Sequence, residues 1–224
     1  MPDVLIAGGL SRWFDAGGSR VHAVRGVSLR VGEAEVVAVF GRSGAGTSAL
    51  LAMCGGLDSP DQGRVFVAGR DLADLEGLAR EAFLRRTVGW VLQRPALLPL
   101  LTVEENVSVV MRIAGEPEPE ATRAARMALE AVGLRERAGQ RGSDLSTGEQ
   151  RRAAVARALV KAPALLVADQ PTAHLDARAA ADVLSLLRAA ADSGTAVLYA
   201  TQDESALAAA DRVLVMDAGA LTER

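Results

Sequence analysis

Four uninterrupted apolar runs organise the pattern: Val36-Val37-Ala38-Val39-Phe40, Ala164-Leu165-Leu166-Val167-Ala168, Ala196-Val197-Leu198-Tyr199-Ala200 and Val213-Leu214-Val215-Met216. A run of this length without polar alternation fits a strand covered on both faces, as in a parallel sheet. Helical stretches separate the runs, which predicts a doubly wound α/β core. Apart from Val36–Phe40, the chain before about Val67 reads differently. Val4-Leu5-Ile6, Val27-Ser28-Leu29-Arg30 and Arg64-Val65-Phe66-Val67 are short β segments with turns between them, and they predict an antiparallel lobe. From about residue 95 to 160 the pattern is mainly helical. Pro117 and Pro119 mark a break there, and Gly133 fits the C′ position after a helix over 121–132. This is read as a helical insertion. No internal repeat and no low-complexity linker is found, only a mildly turn-prone Gly115-Glu116-Pro117-Glu118-Pro119.

Composition narrows the function classes. With 224 residues, half of them apolar, the chain fits one large domain or two closely joined lobes. The 25 basic and 28 acidic residues give a net charge of −3, so no sequence-wide attraction to nucleic acid or anionic lipid is expected. Cys54 is the single cysteine, and Met1-Pro2-Asp3 lacks the basic flank and apolar run of a secretory signal. A cytosolic location is the expectation. No apolar stretch approaches the roughly 20 residues needed to cross a bilayer, so a chain that serves a membrane would dock onto one.

Candidate chemistry begins at Gly41-Arg42-Ser43-Gly44-Ala45-Gly46-Thr47-Ser48-Ala49. Two glycines five apart, between a buried strand and a helical run, are the setting of a phosphate-binding loop. Glycines let the backbone curl so that successive N–H groups and the following helix N-terminus face phosphate oxygens. Ser48 occupies the place of a magnesium-binding hydroxyl. Thr47 stands where a lysine would meet the β- and γ-phosphates, and its hydroxyl brings neither the charge nor the reach. Taken alone, the loop fits an ordinary glycine-rich turn equally well.

Further segments follow in fixed order: Gln93 after Val88-Gly89-Trp90-Val91-Leu92, Leu145-Ser146-Thr147-Gly148-Glu149-Gln150-Arg151-Arg152, Leu165-Leu166-Val167-Ala168-Asp169-Gln170-Pro171-Thr172, Leu175-Asp176 and Thr201-Gln202-Asp203. Together they resemble the Q-loop, signature, Walker B, D-loop and switch motifs of the ABC-transporter ATPases, across essentially the whole chain. The resemblance implies a P-loop NTPase core of mostly parallel sheet, an N-terminal antiparallel β lobe and a helical subdomain at 95–160, inserted within one ATPase domain spanning 1–224. It implies ATP and Mg2+ as cofactors. Gly41, Ser43, Gly44, Ala45, Gly46, Thr47, Ser48 and Ala49 would surround the phosphates, Phe14 would lie against adenine, and Ser48, Gln93 and Asp169 would serve the metal. Ser146, Gly148, Glu149 and Asp176 would reach a nucleotide on a second subunit. The run Leu97-Leu98-Pro99-Leu100-Leu101-Thr102-Val103-Glu104-Glu105-Asn106-Val107 is similar to ATPases of the lipoprotein-releasing, macrolide-exporting and cell-division group. That group implies an integral membrane permease as partner and a place on the inner face of the cell membrane.

Taken singly, each match has a plainer explanation. Asp176 fits a helix N-cap, Phe14 a core aromatic, Cys54 a small buried side chain, and Leu97, Leu98 and Leu101 simple burial. Order and spacing carry the resemblance. The departures sort by site. The chain's own nucleotide loses the lysine at Thr47, the general-base glutamate at Gln170 and the switch histidine at Gln202. An amide cannot take a proton from water as a carboxylate does, nor carry the positive charge of imidazolium. Little or no hydrolysis is expected there. The elements that reach a partner are better kept, with Thr147 the one concern, because a β-branched residue would be strained if that position needs φ > 0. The expectation is a heterodimer with an intact ATPase chain. A non-catalytic homodimeric scaffold is the alternative.

Overall fold

Strands β1 (Asp3–Ala16) and β2 (Ser19–Gly32) pair antiparallel, and β4 (Gln62–Val67) and the short β5 (Arg70–Asp71) extend them into a sheet of order β2-β1-β4-β5. The structure is a computed structural model that describes residues 2–16 and 19–224. β1 is longer than the sequence segment Val4–Ile6 because Gly8 and Gly9 do not end it. The register shifts between Ala7 and Leu10 instead, a bulge that absorbs the glycines and lets the strand run on.

The second sheet has the order β10-β9-β3-β8-β7-β6. It comprises β3 (Val36–Phe40), β6 (Val88–Val91), β7 (Leu165–Asp169), β8 (Ala196–Thr201) and β9 (Arg212–Asp217), all parallel, with β10 (Ala220–Glu223) antiparallel at the edge. Its apolar runs serve two cores at once. Val37 and Val39 face the antiparallel sheet and helix α1 (Thr47–Cys54), while Val36 and Ala38 face α5 (Thr147–Leu159) and α6 (Ala177–Asp192). Leu165 and Val167 divide from Leu166 and Ala168 in the same way. Each fully buried valine or leucine contributes about 1.5–3 kcal/mol, so neither face tolerates a polar residue.

The remaining helices are α2 (Gly77–Thr87), α3 (Val103–Ile113) and α4 (Glu118–Ala131). Pro117 caps α4 and Pro119 sits in its first turn, where a missing N–H costs nothing; Gly133 follows the C-cap at φ 69. Helices α3, α4 and α5 bury Val103, Val107, Ala125, Leu129, Ala153 and Ala156 in a third core of their own. Asn106 of α3, fully buried, fastens the chain that enters this lobe. Its Oδ1 accepts from the Leu98 amide at 2.6 Å, and its Nδ2 donates to the carbonyls of Leu98, Leu101 and Thr102. Leu98 and Leu100 stay exposed, at 47% and 82%, so simple burial does not account for the leucine run.

Candidate nucleotide site and signature face

The loop after β3 takes its shape from the glycines. Gly44 and Gly46 have φ of 82° and 101°, and a Cβ on Gly46 would stand 2.0 Å from the Ala23 carbonyl oxygen. Only glycine lets β2 approach so closely. Three backbone bonds hold the loop: Gly41 N–H to Thr201, Ala45 N–H to Arg42 and Gly219 N–H to Ala45. Helix α1 then starts with no side-chain cap and no acidic residue in its first turn, leaving its N-terminal N–H groups for an anion.

Ser43, Gly44, Gly46, Thr47, Ser48 and Ala49 line a cavity of about 300 Å3 with Ala23, Gln93, Gln170 and Gln202. The structure thus gathers the loop with Gln93, Gln170 and Gln202, which the resemblance would assign to the Q-loop and the catalytic positions. No charged residue lines it among those described. Ala45 is buried and packs into the core, and Phe14 does not line the cavity. Phe14 lies on β1, 44% exposed, with the Arg12 guanidinium 4.9 Å over its ring. Arg12 is itself fixed by Asp58 and Asp61 at 2.8 and 3.0 Å. Gln170 is 8% exposed and held at φ 49, its amide donating to the Ala200 carbonyl.

Asp169 ends β7 beside this cavity. Its Oδ1 is buried with no partner, and burial pushes the carboxyl pKa up, against a smaller lowering from the nearby Ser48 hydroxyl. An orphaned carboxylate oxygen beside a hydroxyl fits a hard cation, which would also relieve the desolvated charge.

A second cavity, about 760 Å3, shares no residue with the first. Ser146, Thr147, Gly148, His174 and Asp176 line it. Ser146 caps α5 in a capping box with Glu149: the Glu149 amide donates to the Ser146 hydroxyl at 3.3 Å, and Glu149 Oε2 accepts from the Ser146 amide and hydroxyl at 2.9 and 2.7 Å. Those bonds, with Arg137 at 3.0 Å, hold the Glu149 carboxyl below the usual range. Asp176 caps α6 through the Ala179 amide at 2.9 Å. Gly148 faces Ala179, which sets both helix starts on one surface. Thr147 is the first residue of α5 and is not among the left-handed residues, so the strain feared for a β-branched side chain does not arise.

A third, largely apolar groove of about 310 Å3 runs between the sheet edge and the helical lobe, lined by Leu57, Leu84, Trp90, Leu92 and Val110 with Arg85, Arg157 and Lys161. Sequence reasoning missed Lys161, although it is the only lysine in the chain. Its ammonium donates to the Arg85 carbonyl, and burial, with Arg85 nearby, pulls its pKa down to about 8 from 10.5. Folding thus disfavours the protonated amine, and stability rises as pH climbs from about 8 toward 10.5. NMR of the ε-methylene in selectively labelled protein is expected to show one titration near pH 8. A midpoint above 10 would place the amine in water.

The ABC transporter family model matches residues 24–173. The ATP-binding protein LolD of the lipoprotein-releasing system of Pseudomonas syringae is 39% identical over 98% of this chain and 97% of its own. The macrolide export ATP-binding/permease protein MacB of Rhodospirillum rubrum is 37% identical over 96% of this chain, which spans 33% of that protein. Among solved structures, the dimeric post-hydrolysis state of the ATP-binding cassette MJ0796, bound to ADP and Pi, superposes with a TM-score of 0.89 at 28% identity, covering 98% of each chain. With a glycine-rich loop after a buried parallel strand, an α/β P-loop fold and a helical lobe packed around a core of its own, the chain belongs to the ABC transporter family as an ATP-binding cassette.

Proposed function

We propose that this chain is an ATP-binding subunit with an impaired hydrolysis site of its own, paired with a different, intact ATPase subunit to which it presents Ser146, Gly148 and Asp176. The contrast between the two cavities carries this reading. The cavity beneath the phosphate loop has neither a lysine nor a general-base carboxylate among its lining residues, only Thr47, Gln170 and Gln202 at those positions. The signature cavity retains a hydroxyl, a glycine and a D-loop aspartate on two capped helix starts.

At the chain's own site, the loop amides and the α1 N-terminus would hold the phosphates of ATP, with Phe14 on the adenine side. Ser48, Gln93 and Asp169 would hold Mg2+, whose charge would screen the phosphate oxygens. Both bind weakly without a lysine at position 47. Gln170 orients a water by hydrogen bonding but takes no proton from it, so the reaction stops before bond cleavage.

The domain is single over 1–224, with the helical subdomain at 95–160 inserted in it. The groove of Leu57, Trp90 and Leu92 at that junction would receive an integral membrane permease of the lipoprotein-releasing or macrolide-exporting kind, placing the chain on the inner face of the cell membrane. The dimeric arrangement of the structural relative supports pairing. One observation favours the alternative of a non-catalytic homodimeric scaffold: the Ser146 hydroxyl proton is already committed to Glu149.

Affinity purification of the native complex separates the two. The expected result is a permease, a second ATPase chain bearing the missing lysine and glutamate, and ATP turnover by the complex with none by the isolated chain. An isolated chain that hydrolyses ATP at an ordinary rate overturns the impaired-site reading, and recovery of this chain as the complex's sole ATPase component establishes the scaffold.

A further inference from the structure

Residues 92–101 leave the edge strand β6 and enter the helical lobe, so they are the covalent joint between the two halves of the chain. Their backbone is held from one side. Arg151 of α5 donates through Nη1 to the Leu92 carbonyl and through Nη2 to the Gln93 carbonyl, both at 2.8 Å. Six residues along the same helix, Arg157 donates through Nη1 to Ala96 and through Nη2 to Pro95, again at 2.8 Å each. Asn106 of α3 holds Leu98. No side chain of the parallel sheet or of α1 makes a hydrogen bond to this segment among the described residues.

Stability alone does not explain Arg151. It is 2% exposed, its partners among the described residues are the two carbonyls and no carboxylate, and its Nε is buried with no acceptor. Burial lowers its pKa and that of Arg157. An uncompensated guanidinium in the interior is costly, and an apolar residue of similar volume commonly replaces such a group without loss of stability. What the fork supplies is geometry: two fixed donors matched to two consecutive carbonyls.

We infer that Arg151 is a positioning residue that joins the Gln93 loop to the signature helix, so that the placement of Ser146 toward a partner's nucleotide follows the placement of this loop. Gln93 therefore has its backbone tied to the helical lobe while its side chain lines the cavity of the core. Ser146 caps the N-terminus of the helix that carries both arginines. Arg157, at the other end, also lines the groove between the lobes. A shift of the loop at either Gln93 or Ala96 is transmitted along a single rigid α5. Ala96, held at φ 48 without being glycine, is strained, so the Arg157 fork keeps a conformation that the residue would not choose.

The inference rests on the proposal that Ser146 serves a partner's site, and the test has an arm that does not. In the native complex, Arg151→Ala is expected to lower kcat about 10- to 100-fold with KM for ATP within about twofold, because a misplaced catalytic contact costs rate before it costs binding. Arg151→Lys, which reaches one carbonyl, recovers part of the loss. In the free chain, hydrogen exchange with increasing urea follows two segments, 92–96 and 145–151. They open together in the unmodified protein, and Arg151→Ala separates them, 92–96 opening first.

Unchanged kcat in Arg151→Ala, in a complex that Ser146→Ala inactivates, overturns the inference and leaves the shared-site reading standing. Rates that track the melting temperature equally in the Ala and Lys variants overturn it too, since that is a structural role. If Ser146→Ala leaves turnover intact, the shared-site reading falls and the exchange arm decides. Joint opening of both segments in Arg151→Ala then sinks the link.

Discussion

The isolated chain carrying Thr47→Lys, Gln170→Glu and Gln202→His is expected to hydrolyse MgATP at least about 100-fold faster than the unmodified chain, since a placed general base alone contributes 10²–10⁴. The framework for restored side chains is already present. Ser48, Gln93 and positions 170 and 202 line one cavity with the loop. Gln170 holds φ 49, and glutamate, of the same shape and branching, is expected to carry the same backbone strain as glutamine there. Thr47 turns its methyl toward Gly41, and an unbranched lysine stem has no such group. On the proposed pairing, in which a second chain's signature completes the site, the rate is expected to rise faster than linearly with protein concentration. Calorimetry divides the failures. If Thr47→Lys tightens ATP binding but the triple variant stays inactive, the signature face is silent and the scaffold reading replaces ours. If binding does not tighten, the loop is not a nucleotide site.

The second large effect is expected at Gly148. Gly148→Asp sets a carboxylate on the second residue of α5, facing the cavity where a partner's phosphate would sit. Loss of ATP turnover by the native complex of at least about 100-fold is expected, the scale of removing one preorganised donor and more once repulsion is added. Folding should be spared. An acid in the first turn of a helix is stabilising by about 0.3–1 kcal/mol, and a Cβ on Gly148 meets Ala179 at 3.3 Å, which a small shift of an alanine methyl relieves. A stable Gly148→Asp chain that assembles a fully active complex would show that no partner uses this surface.

The core was legible because both faces of its strands are covered. Val36 to Val39 alternate between two cores and therefore show no alternation in sequence. Edge and surface elements left weaker marks. β6 has four residues, one of them glycine, and α2 buries none of its residues, so no apolar stripe announces it. Order and spacing alone singled out Gln93, Gln170 and Gln202, far apart in the chain, and the structure brings the three to one cavity. Phe14 is exposed on β1 and is not among the residues that line the cavity. Nothing in the sequence marked Arg151 as interior or Arg157 as half-buried. Arginines on a helix read as solvated, and only the tertiary approach of the 92–96 backbone supplies the carbonyls that hold them there.

Lys161 carries the one ε-amine of the chain, and it lines the groove between the lobes. Apart from the α-amino group, acylating reagents and amine cross-linkers therefore have a single address. A mass shift on that peptide reports whether the groove is covered, without any introduced label.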